Sequence, residues 1–390
     1  MKPFRHIAPS FRTFAGEDCL SALAGELRRL GASRAVIFCG ASMARHGDAM
    51  ARVERALGPL CAGRFDGVRE HSPVPIVEEG ARVLRQLGAD SVIAVGGGSA
   101  VVTARASSIL LAEQADVRQL CTQQGADGRL TSPRLDRPKL PQWVVATTPT
   151  TAYAKAGSAV QDAATGERLA LFDPKTRAQG VFFDPVLAGT APAALALTAS
   201  LNALSMAIEG IEADVDDPLA MAQLREAVEL LAGALPQLSE RPDDPDLRLR
   251  LMLAALLCGQ GTDHAGGGLS SVLSHVLGPR FGLPNGLAGA ILLPHTMRFN
   301  AVVTAPRLPR VARALGASAE DARRLPAEST VAAVVELLHR LPIERRLRDR
   351  GIERDSLAAV ADDAMRDWFM QRNPRRVERN DALAVLQQAW

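Results

Sequence analysis

The stretch Ser91-Val92-Ile93-Ala94-Val95-Gly96-Gly97-Gly98-Ser99 decides the fold of this chain. A short apolar run ends in three glycines and a serine, and an alanine-rich segment follows. This order predicts a buried strand, a tight turn and the start of a helix. Glycines let backbone amides approach a phosphate, and the free N–H groups at a helix N-terminus favour an anion. The turn therefore predicts a pyrophosphate site, although α/β proteins also use such turns without any ligand.

Strand and helix patterns alternate around this turn. The apolar run at 35–39 is followed by a turn at 40–42, and the run at 143–146 is followed by a threonine-rich turn at 147–151. This alternation predicts a parallel sheet with helices on both faces. Such sheets bind ligands at the carboxyl ends of their strands. We therefore expect the turn at 96–99 and the turn at 147–151 to lie at such strand ends.

The pattern changes after Thr190, where the rest of the chain is almost entirely helical. The clearest helices are predicted over 193–213, 219–235, 247–259 and 269–277. The sequence thus predicts an α/β domain over 1–187 and an all-helical domain over 188–390.

Composition narrows the class of protein. The formal net charge is +2 over 390 residues, which gives no indication of nucleic acid or an anionic membrane as partner. The five cysteines are scattered without a Cys-x-x-Cys pair, so we expect neither a disulfide framework nor a cysteine zinc site. The N-terminus lacks an apolar signal segment, and no apolar run is expected to cross a bilayer. These observations predict a cytoplasmic protein.

Several further motifs follow in a fixed order. They are Pro149-Thr150-Thr151, the segment 201–209 (LNALSMAIE), the segments 273–278 (LSHVLG) and 283–286 (LPNG), and the segment 290–300 (AILLPHTMRFN). In this order and spacing the chain resembles the iron-containing alcohol dehydrogenase family, and within it the maleylacetate reductase branch. The resemblance covers nearly the whole chain.

The resemblance implies a dehydroquinate synthase-like architecture with the active site between the two domains. It also implies hydride transfer between NAD(H) or NADP(H) and a small-molecule substrate, and a homodimer. The residues expected to bind the cofactor are Gly97, Gly98, Ser99, Thr147, Thr148, Thr151, Gly40 and Ser42. No acid follows the strand at 35–39, while Arg45 and His46 lie close behind it, so NADP(H) is permitted as well as NAD(H).

The metal site of that family is where the sequence departs from the resemblance. Metal-using members bind Fe²⁺ or Zn²⁺ through one Asp and three His, and the matching positions here are Asn202, Met206, His275 and Asn285. This set has no anionic ligand, only one imidazole, and a soft thioether. We therefore expect no metal. Ser270 and Ser271 also replace a His pair of the maleylacetate reductase branch, which leaves the substrate open.

Without a metal, another group must stabilise the developing alkoxide and donate a proton. The candidates are His275, Tyr153 and Lys155, the last of which would supply a cation beside the phenol. The alternatives are a helix histidine bonded to a carbonyl and a solvated surface lysine. The residues expected to line the substrate cleft are Asn202, Met206, His264, Ser271 and Asn285.

Three functions are compatible with these residues. The first is a metal-independent NAD(P)H-dependent reductase of a carbonyl, enone or imine. The second is a family member that carries out a non-redox step such as cyclisation, dehydration or isomerisation. The third is a non-catalytic binding protein, against which the glycine turn and His275 both argue. The sequence favours the first.

Overall fold

The computed structural model describes residues 3–125 and 130–390, and the chain divides into two compact units. One unit comprises Pro9–Pro192, and the other comprises Ala193–Trp390 together with the first eight residues. The division falls five residues after the expected boundary at 187, because a short helix capped by Asp184 still belongs to the first unit. No sequence pattern indicates that residues 3–8 group with the helical unit.

The first unit is built on a six-stranded sheet whose neighbouring strands are all parallel, in the order β1-β10-β7-β4-β2-β3. Two small antiparallel pairs, β5-β6 and β8-β9, lie outside it. The strands are β1 (Arg12–Ala15), β2 (Ala35–Gly40), β3 (Cys61–Val68), β4 (Ser91–Gly96), β5 (Gln123–Gln124), β6 (Leu130–Thr131), β7 (Gln142–Ala146), β8 (Gly157–Gln161), β9 (Arg168–Phe172) and β10 (Ala178–Phe183).

The central strands β4 and β7 are buried along their whole length, as their continuous apolar runs predict for a sheet covered on both faces. The helices of this unit are α1 (Leu23–Arg29), α2 (Ala41–Ala44), α3 (Gly47–Leu57), α4 (Val74–Gln86), α5 (Gly98–Glu113), α6 (Val117–Leu120) and α7 (Pro185–Ala188). The predicted α/β class is confirmed.

The second unit is helical throughout its assigned elements. Its helices are α8 (Ala193–Glu212), α9 (Pro218–Ala234), α10 (Pro245–Ala265), α11 (Leu269–Phe281), α12 (Asn285–Thr304), α13 (Leu308–Ala314), α14 (Ala319–Arg324), α15 (Ala327–His339), α16 (Leu357–Ala364) and α17 (Arg379–Ala389). Asp217 and Asp244 cap α9 and α10, and each is followed by a proline in the first turn.

Helix α8 is long and apolar enough to cross a membrane, which the sequence reading did not anticipate. However, 72% of its apolar window is buried inside the protein. The core of the helical unit forms around it, with Leu201, Leu204 and Ile208 fully buried. Its apolar character is therefore that of a central core helix.

Candidate active site

The glycine turn joins β4 to α5 as the sequence predicts. Gly96 has a φ of 149°, which favours glycine, and Gly97 is the residue before the first turn of α5. Gly97, Gly98 and Ser99 are partly exposed at the start of this 16-residue helix. This is the arrangement that binds phosphate groups at helix N-termini.

The threonine turn after β7 packs directly against the glycine turn. The Thr147 amide donates a hydrogen bond to the Gly96 carbonyl oxygen over 3.1 Å. A Cβ atom at position 97 would press into Thr148 Oγ1, and one at position 98 would lie 3.2 Å from Thr150 Oγ1. Position 97 therefore favours glycine, and the two turns form one cradle. Such a cradle fits the pyrophosphate of a dinucleotide.

The segment that follows β3 also borders this cradle, and the sequence reading missed it. His71 and Ser72 both have positive φ values, 60° and 49°, which are unusual for residues other than glycine. Ser72 Oγ donates to the Ser99 carbonyl oxygen over 3.3 Å, and Thr103 Oγ1 donates to Ser72 Oγ over 2.9 Å. The position of this segment at the carboxyl end of β3 was the available signal. Strained backbone of this kind clusters at functional sites.

Gly40 and Ser42 lie at the carboxyl end of β2, as expected. Gly40 precedes α2 in extended conformation, and Ser42 is exposed in that helix. Thr147, Thr148 and Thr151 are buried. The threonines therefore shape the turn from within, and the exposed surface of the cradle is formed by residues 97–99.

Two arginines hold the segment after the threonine turn. The buried guanidinium of Arg105 donates to the carbonyl oxygens of Gly157 and Ala152 over 2.7 and 2.9 Å. Arg177 donates to the Ala154 carbonyl oxygen over 2.7 Å. The loop is thus fixed by its main chain, and Lys155 within it is partly exposed.

Tyr153 is buried and does not occupy the position expected of a proton donor. Its side chain is fully buried, packs edge-on against Phe183 and donates its hydroxyl proton to the Thr148 carbonyl oxygen. Burial raises the pKa of this phenol well above its usual range. A buried phenol whose proton is already engaged does not reach a substrate. We therefore correct the expected role of Tyr153 from proton donor to an internal brace of the threonine turn.

His275 lies on α11 in the helical unit and forms a pair with an acid. Its Nδ1 is 2.8 Å from Asp367 Oδ2, and both side chains are largely buried. The rings of Trp368 and Phe369 lie 5.6 Å from the imidazole, centroid to centroid. A carboxylate on one ring nitrogen orients an imidazole and stabilises its charged form. The sequence reading identified His275 but not Asp367, which is 92 residues away.

The other positions of the family's metal site have donors of a different kind. Asn202 and Met206 share one face of α8, where the Asn202 amide nitrogen lies 3.5 Å from the Met206 sulfur. Asn285 begins α12, and its Oδ1 lies against Gly278. Amides and a thioether carry no charge, and Fe²⁺ and Zn²⁺ prefer imidazole and carboxylate ligands. These residues do not fit an Fe²⁺ or Zn²⁺ site.

Ser271 is engaged in the core of the helical unit. Its side chain and its amide both donate to the Glu209 carboxylate, which is fully buried on α8. Glu209 thereby caps the start of α11, the helix that carries His275. The substrate-contacting role expected for Ser271 is therefore corrected to a positioning one.

A second buried acid, Glu212, lies one turn further along α8. Its Oε1 accepts a hydrogen bond from Thr304 Oγ1, while its Oε2 has no hydrogen-bond partner among the described residues. Burial, followed by the nearby charge of Glu209, raises the pKa of Glu212 to about 8. Glu212 is therefore protonated in the folded protein at neutral pH.

This shift predicts that the stability of the helical unit falls as the pH rises. In the folded protein the Glu212 carboxyl keeps a proton. In the unfolded chain the same carboxyl releases it above its ordinary pKa of 4.5. The stabilising effect is therefore complete below pH 4.5 and is lost as the pH rises towards about 8. Glu212→Gln should flatten this slope and stabilise the protein above pH 8 by about 1–3 kcal/mol. Urea unfolding at several pH values measures it.

The matched control is Glu226→Gln, because Glu226 is an exposed acid on α9. It should leave the pH slope unchanged. Equal slopes in wild-type protein and Glu212→Gln would show that Glu212 titrates normally.

His264 lies in the last turn of α10, with its side chain 16% exposed. Its ring stacks on that of His6 at a centroid distance of 4.0 Å. Its expected contact with the substrate remains a prediction.

Comparison with known proteins places this geometry in a family. Residues 9–185 match the family described as iron-containing alcohol dehydrogenase, and residues 196–390 match the C-terminal part of the Fe-containing alcohol dehydrogenase family. The chain therefore belongs to the iron-containing alcohol dehydrogenase family, a family of oxidoreductases.

The curated relatives include two reductases that match over nearly their whole length. Lactaldehyde reductase of Escherichia coli K12 is 31% identical over 385 residues, covering 96% of this chain and 97% of the relative. Maleylacetate reductase 1 of Cupriavidus pinatubonensis is 29% identical over 388 residues, covering 99% and 96%. The expected family and its maleylacetate reductase-like character are confirmed.

Solved structures agree with the fold. Maleylacetate reductase from Rhizobium sp. strain MTP-10005 superposes with a TM-score of 0.81 at 27% identity, covering 100% of this chain and 99% of the other. A 1,3-propanediol oxidoreductase superposes with a TM-score of 0.89 at 24% identity, covering 100% of both chains, which shows the shared fold.

Proposed function

We propose that this protein is a metal-independent, NAD(P)H-dependent reductase that acts on a carbonyl, enone or imine of a small organic molecule. The observation that carries the proposal is the pairing of His275 with Asp367. It supplies an oriented acid within a motif whose other metal-ligand positions hold two amides and a thioether. The relatives named as lactaldehyde and maleylacetate reductases support a carbonyl or enone as the reacting group.

The cofactor would be held mainly by backbone. The N–H groups of residues 97–99 and the start of α5 would bind the pyrophosphate, with the packed threonine turn fixing their position. When bound, the nicotinamide supplies the hydride. Arg45 and His46 are exposed just beyond β2, whose end carries no acid, so the proposal includes NADP(H).

His275 would supply the proton that completes the reduction. A carbonyl that accepts a hydride at carbon gains negative charge on oxygen, and the imidazolium donates its Nε2 proton to that oxygen. Asp367 holds Nδ1, fixes the orientation of the ring and stabilises its protonated form. The ring is then neutral and regains a proton from solvent. Lys155, which is partly exposed, remains a second candidate.

The proposal extends to the setting of the enzyme. We place it in the cytoplasm, as a homodimer that acts on a small molecule and binds neither nucleic acid nor membrane. The balanced net charge of +2 and the buried position of α8 support the last two points.

The experiment measures NAD(P)H oxidation with a panel of aldehydes, oxo acids and enones that includes lactaldehyde and maleylacetate. We expect stoichiometric oxidation with at least one of them, unchanged after dialysis against EDTA. Gly97→Ala should weaken NAD(P)H binding at least about tenfold, because the methyl group would displace Thr148 and the cradle.

Gly25→Ala is the matched control, since Gly25 lies in α1 of the same unit with open space around it. It should bind the cofactor like wild-type protein. Activity that disappears on chelation and returns with Fe²⁺ or Zn²⁺ would refute metal independence. Product formed without NAD(P)H consumption would favour the non-redox alternative.

A further inference from the structure

Three metal-ligating side chains meet in the helical unit, away from the family's metal motif. They are His6, Asp217 and His264, and their ligand atoms all lie within 4.8 Å of one another. His6 Nδ1 is 2.6 Å from Asp217 Oδ2, and His264 Nδ1 is 4.0 Å from the same oxygen. The three residues come from separate parts of the chain, 211 and 47 residues apart in sequence.

From this cluster we infer a second site, unrelated to hydride transfer. His6, Asp217 and His264 form a binding site for a divalent transition-metal ion such as Zn²⁺, Co²⁺ or Ni²⁺. Two imidazoles and one carboxylate are the ligands these ions prefer. Three protein ligands leave further coordination positions for water.

The surroundings of Asp217 favour it as the anchor of the site. Its side chain is almost fully buried, and its Oδ1 accepts hydrogen bonds from the Leu219 and Ala220 amides at the start of α9. Burial alone would raise its pKa, but the His6 hydrogen bond and these amides outweigh burial and lower it. Asp217 is therefore a fixed carboxylate that turns Oδ2 towards both imidazoles.

The two imidazoles need a modest rearrangement to bind one ion. Their rings are stacked with planes 18° apart, whereas a bound metal lies in the plane of each ring it contacts. One ring must therefore turn about its χ2 bond, and the Nδ1 proton shared with Asp217 must leave. His6 lies in the segment before β1, outside any helix or strand.

A bound ion would fasten the N-terminus to the helical unit. Residues 3–8 group with that unit, although the sheet unit follows them directly in the chain. His6 contacts Asp217 and His264 within that unit. The site is thus structural, and it does not depend on the proposed reductase activity.

The experiment is titration of the full-length, metal-stripped protein with Zn²⁺ by calorimetry and with Co²⁺ by visible absorption. We expect one equivalent to bind per chain and the unfolding temperature to rise with ion concentration. His6→Gln and His264→Gln should each weaken binding at least about tenfold. Circular dichroism checks that both variants fold.

Two control variants locate the ion. His71→Gln removes an exposed histidine of the sheet unit and should bind the ion like wild-type protein. His275→Gln should also retain binding. Absence of binding in the wild-type protein would overturn the inference, as would binding that survives in both His6→Gln and His264→Gln or is lost only in His275→Gln. Ion binding and the unfolding temperature are both read without substrate or NAD(P)H, which separates this site from the proposed function.

Discussion

His275→Gln should lower the turnover of the reductase by about 10²–10⁴-fold, because it removes the proposed proton donor. Affinity for NAD(P)H should stay within about twofold, since the glycine turn belongs to the other unit of the chain. Steady-state kinetics and a fluorescence titration of NAD(P)H measure the two effects. The predicted loss lies in kcat, because the proton is transferred only as the hydride adds.

Asp367→Asn tests the positioning of that imidazole. The amide keeps the size of the side chain but removes the charge that stabilises the imidazolium. We expect a smaller loss of turnover than in His275→Gln and a shift of the alkaline limb of the pH–rate profile to lower pH, because the proton donor is lost at a lower pH. A purely structural role for Asp367 would leave the profile unmoved.

The matched control is Asp363→Asn, because Asp363 is a partly exposed acid of the same segment that pairs with Arg280. Its turnover and pH profile should match wild-type protein. Full activity of His275→Gln would exclude His275 as the proton donor and favour Lys155 in that role.

Gly286→Ala should destabilise the helical unit by about 3 kcal/mol or more. A Cβ atom at this position would lie 2.8 Å from the main-chain nitrogen of Asn202 and closer still to the main-chain carbonyl oxygen of Thr198. Both are main-chain atoms of α8, so the clash is relieved only by moving one helix away from the other. Urea unfolding followed by circular dichroism measures the change.

Gly233→Ala is the opposite case within the same unit. Gly233 lies inside α9 with open space where a Cβ would go, so alanine should stabilise by about 0.5–1 kcal/mol through helix propensity. Equal effects of the two substitutions would show that α8 and α12 do not approach as closely as described.

The fold was predictable because its main signals are local. A buried apolar run followed by glycines predicts a strand, a tight turn and a helix start. The structure has this order, with the strand ending at Gly96 and the helix beginning at Gly98. Helix ends were less predictable: α10 and α11 both continue to a glycine, at Gly266 and Gly282, beyond the ends that periodicity suggested. Polar residues in the final turn of α10, and Gly278 with Pro279 in that of α11, did not favour helix.

Individual residues of the candidate active site were predictable from the sequence, but their contacts with each other were not. His275 was identified, but its partner Asp367 is distant in sequence and no spacing links them. Tyr153 was misjudged because its position near the threonine turn does not reveal which way the ring points. The cluster of His6 with Asp217 and His264 was invisible for the same reason, since only tertiary packing brings these residues together.

The cradle formed by the glycine and threonine turns has a consequence for how such proteins diverge. Its exposed surface is largely main chain, so mutations that alter side chains elsewhere leave it intact. The family's metal-ligand positions, such as Asn202 and Met206, act by contrast through their side chains alone. A single codon change can therefore alter their chemistry. On the proposed function, related proteins could therefore change their reaction chemistry while the main-chain cofactor site stays the same.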